Sequence, residues 1–471
     1  MKSTGPDPLL DAWENTLKAS GSRGAIFDTR GNTLRTFLDV EEESGALDRE
    51  LERIVRPGEV VAVQTGNHPS WPALLLAGLR RDLIILPLER SMTNRERDAA
   101  LQVCQAAAVV EAGAPSNTPA EAIVFRPLPH DPIEWGPSQP VLLKLTSGTT
   151  AAPRAIRFRS EQLLADCTQI CETMKIDSRD LNFAVIPVSH SYGFSNLITP
   201  LIAQGVPMVL SRDRIPRAVL EDIARSGATV FPGTPVFYQA FSEIQDLPHL
   251  SRLRLCISAG APLPLETARK FRASFQQSIH SFYGASECGG ICYDHDALLI
   301  EQGFVGQPVN GVFLEMLDPN AAATHVRVRT AAAGDGYFPE PTEEKLGDGR
   351  FVPDDLLAAG DGGFCIVGRT SDVINVAGKK VSPAEVEAEL LRFHGVNAAV
   401  VFGRESKQRN EEVAACVVAE AFVQEAELLE YCRRRLSGWQ VPKRIFFLNE
   451  IPTNERGKVN RRALAERFST S

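Results

Sequence analysis

The sequence predicts an α/β fold of largely parallel sheets, divided into more than one folding unit. Three observations carry this expectation. From about residue 24 onward, short β-rich runs alternate with longer segments of helical period, the pattern that crossover connections produce. The chain has 471 residues, too many for one compact core at about 150 residues per domain. It is 44% hydrophobic with Gly 35 and Pro 31, enough apolar material for packed cores and no sign of bulk disorder or collagen-like repetition.

The elements follow in order. Glu59–Val63 and Leu83–Leu86 read as strands. The apolar run Trp71 to Leu88 between and across them is cut by Arg80, Arg81 and Asp82, so it falls short of the roughly 18 apolar residues of a membrane span. Val141–Leu145 reads as a strand, Ser160–Met174 as a helix, Phe183–Ile186 and Met208–Leu210 as strands, and Arg217–Ser226 as a helix. Thr229–Phe231, Leu253–Ile257 and Ser278–Phe282 are further strands. Ligands of such sheets bind at the loops beyond the strand carboxyl ends. Near residue 317 the composition shifts, and Leu317–Asp355 reads as a loop-rich or small β region. Turn residues at Gly368–Ser371 mark a domain junction. Beyond it come a hairpin-like VINVAGKKVS, a helix from Pro383 to Phe393 and two strand–helix alternations. The expected domains are residues 1–368 and 369–471.

Charge and cysteine usage narrow the class. Lys+Arg 50 against Asp+Glu 59 gives a net charge of −9, which argues against a general nucleic-acid binder, since those need a broad basic surface. A phosphate-bearing ligand must then be met by local cations and backbone N–H groups. Tyr431 to Arg462 is such a local concentration, with nine basic residues against Glu450 and Glu455. Asp7 and Asp11 interrupt the start where a signal peptide needs an apolar segment. The nine cysteines are scattered, with no CxxC pair. These features predict a soluble cytoplasmic protein without a transmembrane segment.

Four segments carry chemistry. Thr146-Ser147-Gly148-Thr149-Thr150, followed by Ala151, Pro153 and Arg154, places small hydroxyl residues and a glycine after an apolar strand. Such a loop suits a polyphosphate, although it lacks the GxxxxGK[ST] pattern and also reads as a polar strand-to-helix turn. Tyr283-Gly284-Ala285-Ser286-Glu287 offers a ring face, room for close approach and a hard oxygen ligand of the kind Mg²⁺ prefers; it also reads as a turn with Ser286 capping a following helix. Gly360-Asp361, then Gly368-Arg369, lead into Gly378-Lys379-Lys380, where a lone Asp accepts from ribose hydroxyls and an Arg donates to oxyanions. Last, Lys458 sits in the glycine-bearing loop Pro452 to Arg462, which equally reads as a solvated basic tail.

In this order and at these spacings the four segments resemble the adenylate-forming superfamily of acyl-CoA synthetases, aryl-acid ligases, luciferases and peptide-synthetase adenylation domains. The resemblance runs from about residue 24 to about 465, and Gly260-Ala261-Pro262 and Gly336-Tyr337 match secondary motifs of the family. It implies a large N-terminal domain of α/β subdomains plus a small β-barrel, followed by a small mobile α+β C-terminal domain. The implied reaction joins a carboxylate to ATP as an acyl-adenylate, releasing pyrophosphate, and then transfers the acyl group to a thiol, releasing AMP. ATP, Mg²⁺ and CoA are the implied cofactors and substrates. A carrier-protein phosphopantetheine is an alternative acceptor, a non-catalytic acyl or nucleotide sensor a rival, and luciferase-like oxygenation a remote third.

By the same resemblance, Lys458 bridges carboxylate and α-phosphate, Thr146 to Thr150 with Arg154 hold the β- and γ-phosphates, and Ser286 contacts the α-phosphate. Glu287 binds Mg²⁺. Tyr283 stacks on adenine beside Gly260, Ala261 and Pro262, with Gly284 allowing close approach. Asp361 takes the ribose hydroxyls, helped by Arg369. Gly378, Lys379 and Lys380 face the thiol side, with Ser371 as the hinge. His190, in Pro187-Val188-Ser189-His190-Ser191-Tyr192-Gly193, belongs to the catalytic and acyl pocket, with Gly289 and Gly290 leaving room for the acid; taken alone it also reads as a core histidine. None of Val188 to Phe194 is acidic, which disfavours an amino-acid substrate.

The sequence departs from the family pattern at three places. Ala151 replaces a usual glycine, Arg154 a usual lysine and Ser371 a usual Asp or Lys. Cys288, Cys292, Asp294 and His295 match metal ligands by type but fit no standard zinc spacing. Cys167 and Cys171, four apart on a predicted helix, read as core residues.

Overall fold

The computed structural model describes residues 7–112, 123–146, 153–211, 213–342, 344–369, 372–376, 379–406, 410–453, 459 and 461–468. Its first sheet has seven strands. Across it they run Gly336–Phe338, Ala155–Phe158, Leu142–Leu145, Ile84–Pro87, Val60–Gln64, Ala106–Ala112 and Ile123–Pro127. The inner four are parallel. Residues Val60–Val63 and Ile84–Pro87 are all buried, as expected of parallel strands covered on both faces. The long apolar run divides physically where its charges fall. Trp71–Arg80 is a helix buried at every position from Trp71 to Leu79, and the chain turns at Asp82 in the left-handed region before entering Ile84–Pro87. Each large apolar side chain placed this way stabilises the fold by about 1.5–3 kcal/mol.

The second sheet has eleven strands, the first of them Thr33–Thr36, antiparallel to Gly24–Phe27 at one edge. Gly24–Phe27, Met208–Leu210, Asn182–Ala184, Val230–Gly233, Leu255–Ser258 and Ile279–Ala285 are neighbours in that order and pair in parallel. The pairing then turns antiparallel through Gly289–Tyr293, Phe304–Pro308, Gly363–Arg369 and Asp355–Gly360. The helix Ser160–Met174 has the bounds its period predicts, and it buries Cys167 and Cys171. The main core lies between the two sheets and includes residues of both, among them Leu142, Phe158, Phe194, Phe282 and Ile291.

The region of altered composition is antiparallel β. Phe313–Met316, Val326–Arg329, Arg350–Phe351 and Leu346–Gly347 form a four-stranded sheet, and a bridge from Thr324 to Leu357 ties it to the strand Asp355–Gly360. The smaller C-terminal unit has a sheet of Lys379–Val381, Ile374–Val376, Asn410–Ala419 and Val396–Ser406, with Arg444–Phe447 parallel to Asn410–Ala419. Helices Pro383–Leu391 and Glu425–Arg435 supply its separate core. Arg461, on the helix Arg461–Arg467, donates to Asp372 and to Glu387 of the helix Pro383–Leu391 at 2.8 Å each, and to the Val401 carbonyl of the strand Val396–Ser406.

Candidate active site

The hydroxyl-rich loop joins two strands. Leu142–Leu145 and Ala155–Phe158 are an antiparallel pair, so the strand-to-helix reading of this segment gives way to a hairpin loop. Both the backbone N–H and the hydroxyl of Thr146 donate to the Arg154 carbonyl, at 2.8 and 3.2 Å, which closes the base of the loop. Ser147, Gly148, Thr149, Thr150 and Ala151 lie outside the described residues.

Arg154 begins a chain of contacts that gathers residues remote in sequence. Its guanidinium lies 4.3 Å from the centre of the Tyr337 ring, and it donates to the Glu340 carbonyl and the Thr342 hydroxyl, each at 2.8 Å. Its Nε is buried and has no hydrogen-bond partner among the described residues. Tyr337 is placed here because Gly336–Phe338 pairs with Ala155–Phe158, and its hydroxyl donates to Glu287 at 3.1 Å. Burial pushes the Glu287 carboxyl above its ordinary pKa, while the Tyr337 hydrogen bond acts in the other direction. Burial, and next the Glu287 charge, also raise the Tyr337 phenol. A planar cation, a phenol and a carboxylate therefore meet at the end of the loop, as a planar fork allows and a point charge does not.

A second set stands where the large sheet turns from parallel to antiparallel. Tyr283, on Ile279–Ala285, donates its hydroxyl to Asp355 at 2.7 Å. Asp355 opens the strand Asp355–Gly360, is 5% exposed, and sits in register opposite Arg369, whose guanidinium closes on it. Burial raises the Tyr283 phenol well above its usual range, and the Asp355 carboxylate raises it further. Burial works against the Arg369 cation, but Asp355 outweighs it and raises its pKa. Asp361, the acid expected here, lies instead at the exposed tip of the same hairpin, between Gly360 and Gly363, which pair with each other. Six residues of extended strand put it about 20 Å from Asp355. Sequence reading missed Asp355. The signal was an acid opening a strand whose alternation turns it inward together with Leu357.

His190 precedes a single helical turn, Ser191–Gly193. Its Nε2 lies 3.1 Å from a carboxylate oxygen of Glu89, and both side chains are largely buried. The segment before it is anchored by Asn67, which donates to the carbonyls of Ala184 and Ile186 and accepts from the Val188 N–H. Neither Glu89 nor Asn67 is visible from the motif, because both come from the other sheet.

The remaining positions are dispersed along these elements. Gly260, at φ +89, Ala261 and Pro262 form the loop after Leu255–Ser258. Gly284 is exposed, and a Cβ there would stand 2.7 Å from the Gly289 carbonyl. Ser286 and Glu287 lie in a turn between two strands, so the helix that Ser286 was to cap is not formed. Gly289 and Gly290 open the next strand against Asp166, which accepts from the Gly290 N–H at 3.1 Å. In the C-terminal unit, Lys379 lies 3.7 Å over the Trp439 ring, and Lys380 shares its strand. Ser371, Gly378 and Lys458 lie outside the described residues.

All nine cysteines are buried and unbridged. Among the described residues there is no group of three or more His, Cys, Asp or Glu side chains arranged to hold a metal, and no helix is long and apolar enough to cross a membrane. Glu287 is a single half-buried carboxylate. That donor fits a cation such as Mg²⁺, which takes one or two carboxylates and fills its other positions with phosphate oxygens and water.

Fold and site together define a mixed α/β protein with a large N-terminal and a smaller C-terminal domain, whose polar loops converge beyond the ends of parallel strands. Comparison with known proteins gives the particular family. The family model described as AMP-binding enzyme matches residues 13–328, and that described as AMP-binding enzyme C-terminal domain matches residues 385–458. The chain belongs to the AMP-binding enzyme family, the adenylate-forming superfamily that its motifs resemble. It is 27% identical to a feruloyl-CoA synthase of an Amycolatopsis species, over 98% of this chain and 99% of that one. It is 27% identical to a 3,4-dihydroxybenzoate–[aryl-carrier protein] ligase of Bacillus anthracis, over 69% of this chain and 74% of that one. Its fold superposes on ATP-bound MatB from Rhodopseudomonas palustris with a TM-score of 0.84 at 23% identity, covering 97% and 98% of the two chains; at that identity the likeness is one of fold.

Proposed function

We propose that this protein is an ATP-dependent, AMP-forming acid–CoA ligase acting on a carboxylic acid of the aryl or fatty class. In the first half-reaction a carboxylate oxygen attacks the α-phosphorus of ATP; the bond to the bridging oxygen breaks and pyrophosphate leaves. In the second, the CoA thiol attacks the acyl carbon; the thioester forms, AMP leaves, and the thiol proton passes to solvent. The observation that carries this reading is the convergence of Arg154, Tyr337 and Glu287 beside Tyr283, Asp355 and Arg369.

Both steps bring anions together, so the protein contributes position and countercharge. Thr146 to Thr150 would cradle the β- and γ-phosphates on a loop whose base Thr146 clamps, and Ser286 would meet the α-phosphate. Arg154 is committed to Tyr337, Glu340 and Thr342, so its share is to hold the loop against the segment carrying Tyr337. Glu287 would hold Mg²⁺, which offsets phosphate charge when bound. Tyr283 would face adenine beside Gly260–Pro262. The ribose hydroxyls fall to Asp355 rather than Asp361, because Asp355 is already oriented by Tyr283 and Arg369. His190, whose Nε2 lies near Glu89, would border the activated carboxylate, with the acid extending past Gly289 and Gly290. Lys458 would bridge the carboxylate and the α-phosphate, then withdraw as residues 369–471 rotate about Ser371 and bring Gly378 to Lys380 toward the thiol.

The carrier-protein reading is kept because one relative is named as an aryl-carrier ligase. Supplying an adenylate-forming reaction with CoA, or with a phosphopantetheinylated carrier, decides between them: rapid AMP release with CoA supports the proposal, and release with the carrier alone overturns it. Its location is proposed as the cytoplasm, where the nine buried free thiols would stay reduced.

A further inference from the structure

Behind the acyl end of this site lies a charged side chain that phosphate handling does not use. Lys144, two residues before Thr146, is 5% exposed. Strand alternation puts it on the face of Leu142, toward the core between the two sheets. Its ammonium nitrogen sits 4.6 Å from the centre of the Phe158 ring and 5.5 Å from that of Phe194. No hydrogen bond or ion pair to a described residue engages it.

The nearby acid does not neutralise it by contact. One oxygen of Asp166 accepts from the Ser195 hydroxyl at 2.5 Å and the other from the Gly290 N–H at 3.1 Å. Burial, the larger effect, pushes the Lys144 pKa below the ordinary lysine value, while Asp166 favours the cation through space. A largely desolvated ammonium with no direct anionic contact among the described residues is costly unless an anion joins it. The surroundings locate that anion. Asp166 stands against Gly289, where an added Cβ would come 1.9 Å from its Oδ1, and Phe194 follows the helical turn that His190 precedes. Lys144 thus shares Asp166 with the strand that Gly289 and Gly290 open, where the proposed reading puts the acyl end.

We propose that Lys144 is the counter-ion for a second oxyanion on the substrate, a carboxylate or sulfonate at the end remote from the carboxylate that is activated. The proposal rests on the acid-ligase reading. It refines the substrate class, because an unsubstituted alkyl tail would be set against an uncompensated charge.

The test uses matched acids, hexanoate against hexanedioate and benzoate against benzene-1,4-dicarboxylate and 4-sulfobenzoate. Pyrophosphate release and ligand-induced Tm shifts are measured for wild type, Lys144→Met and Lys144→Arg. Wild type should favour the doubly anionic acids by about tenfold or more in kcat/KM and show the larger Tm shift with them. Lys144→Met should lose both preferences, and Lys144→Arg should keep them. A wild type that prefers the singly charged acids, or a Lys144→Met protein that discriminates as wild type does, overturns the inference. Absence of pyrophosphate release with the Tm preference intact overturns the ligase reading and leaves the anion site standing.

Discussion

The Tyr283 hydroxyl donates a 2.7 Å hydrogen bond to Asp355, and Arg369 closes on the same carboxylate from the register position opposite. Asp355→Ala removes the partner of a buried phenol and of a guanidinium together. We expect kcat/KM for ATP to fall about 100-fold and stability by about 1–3 kcal/mol. Asp361→Ala, at the exposed hairpin tip, should change neither by more than about twofold. ATP titrations with thermal melts check both; equal losses at the two positions would remove Asp355 from the ribose role.

Arg154 joins the phosphate loop to the segment of Tyr337 by stacking and by two hydrogen bonds. Lysine keeps the charge but loses the planar fork. Arg154→Lys should therefore cost about 1–2 kcal/mol of stability and about tenfold in kcat/KM for ATP. Wild-type melting and ATP dependence in this variant would show that charge alone suffices.

Gly289 has φ +71, and a Cβ on it would meet Asp166 at 1.9 Å. Gly289→Ala should destabilise by more than about 1 kcal/mol, since backbone conformation and space both oppose it. Gly260→Ala shares the positive φ but has open space around it, so it should cost less. Chemical denaturation of the pair separates strain from clash.

Burial lowers the pKa of Lys144 in the folded chain. Between that value and the unfolded value of about 10.4, the unfolded chain binds more protons, so wild-type stability rises with pH through this window. Lys144→Met removes the effect. Its stability advantage over wild type should be largest near neutral pH and shrink toward pH about 10. Denaturant midpoints for the two proteins across that range measure this, and an advantage that does not vary with pH would contradict it.

How much was legible in the sequence depends on how local each cause is. The helix Ser160–Met174 is fixed by its own period, and the strands at Met208–Leu210 and near Ile84 by short apolar runs, so these emerge without the structure. The loop at Thr146 was misread as leading into a helix because Ala155–Phe158 is a brief strand beside a strong helical signal. Asp361 drew notice through its Gly–Asp setting, yet glycines around an aspartate are also the chemistry of a tight hairpin turn. Asp355 needed the register with Arg369 to be recognised. Glu89, Asn67 and the surroundings of Lys144 were illegible for one reason. The partners of Glu89 and Asn67 lie on or just beyond strands of the other sheet, and the Phe194 and Asp166 near Lys144 lie on helical segments, so only tertiary packing brings them together.

Incubating the protein with ATP, Mg²⁺, CoA and a carboxylate panel, with pyrophosphate, AMP and acyl-CoA followed in wild type and Lys458→Ala, separates an acid–CoA ligase from an ATPase or a binding protein. An acid–CoA ligase releases pyrophosphate only with the acid, yields AMP and thioester in equal amounts once CoA is added, and loses pyrophosphate release in Lys458→Ala. Acid-independent ATP hydrolysis, or a Lys458→Ala protein as active as wild type, would contradict it.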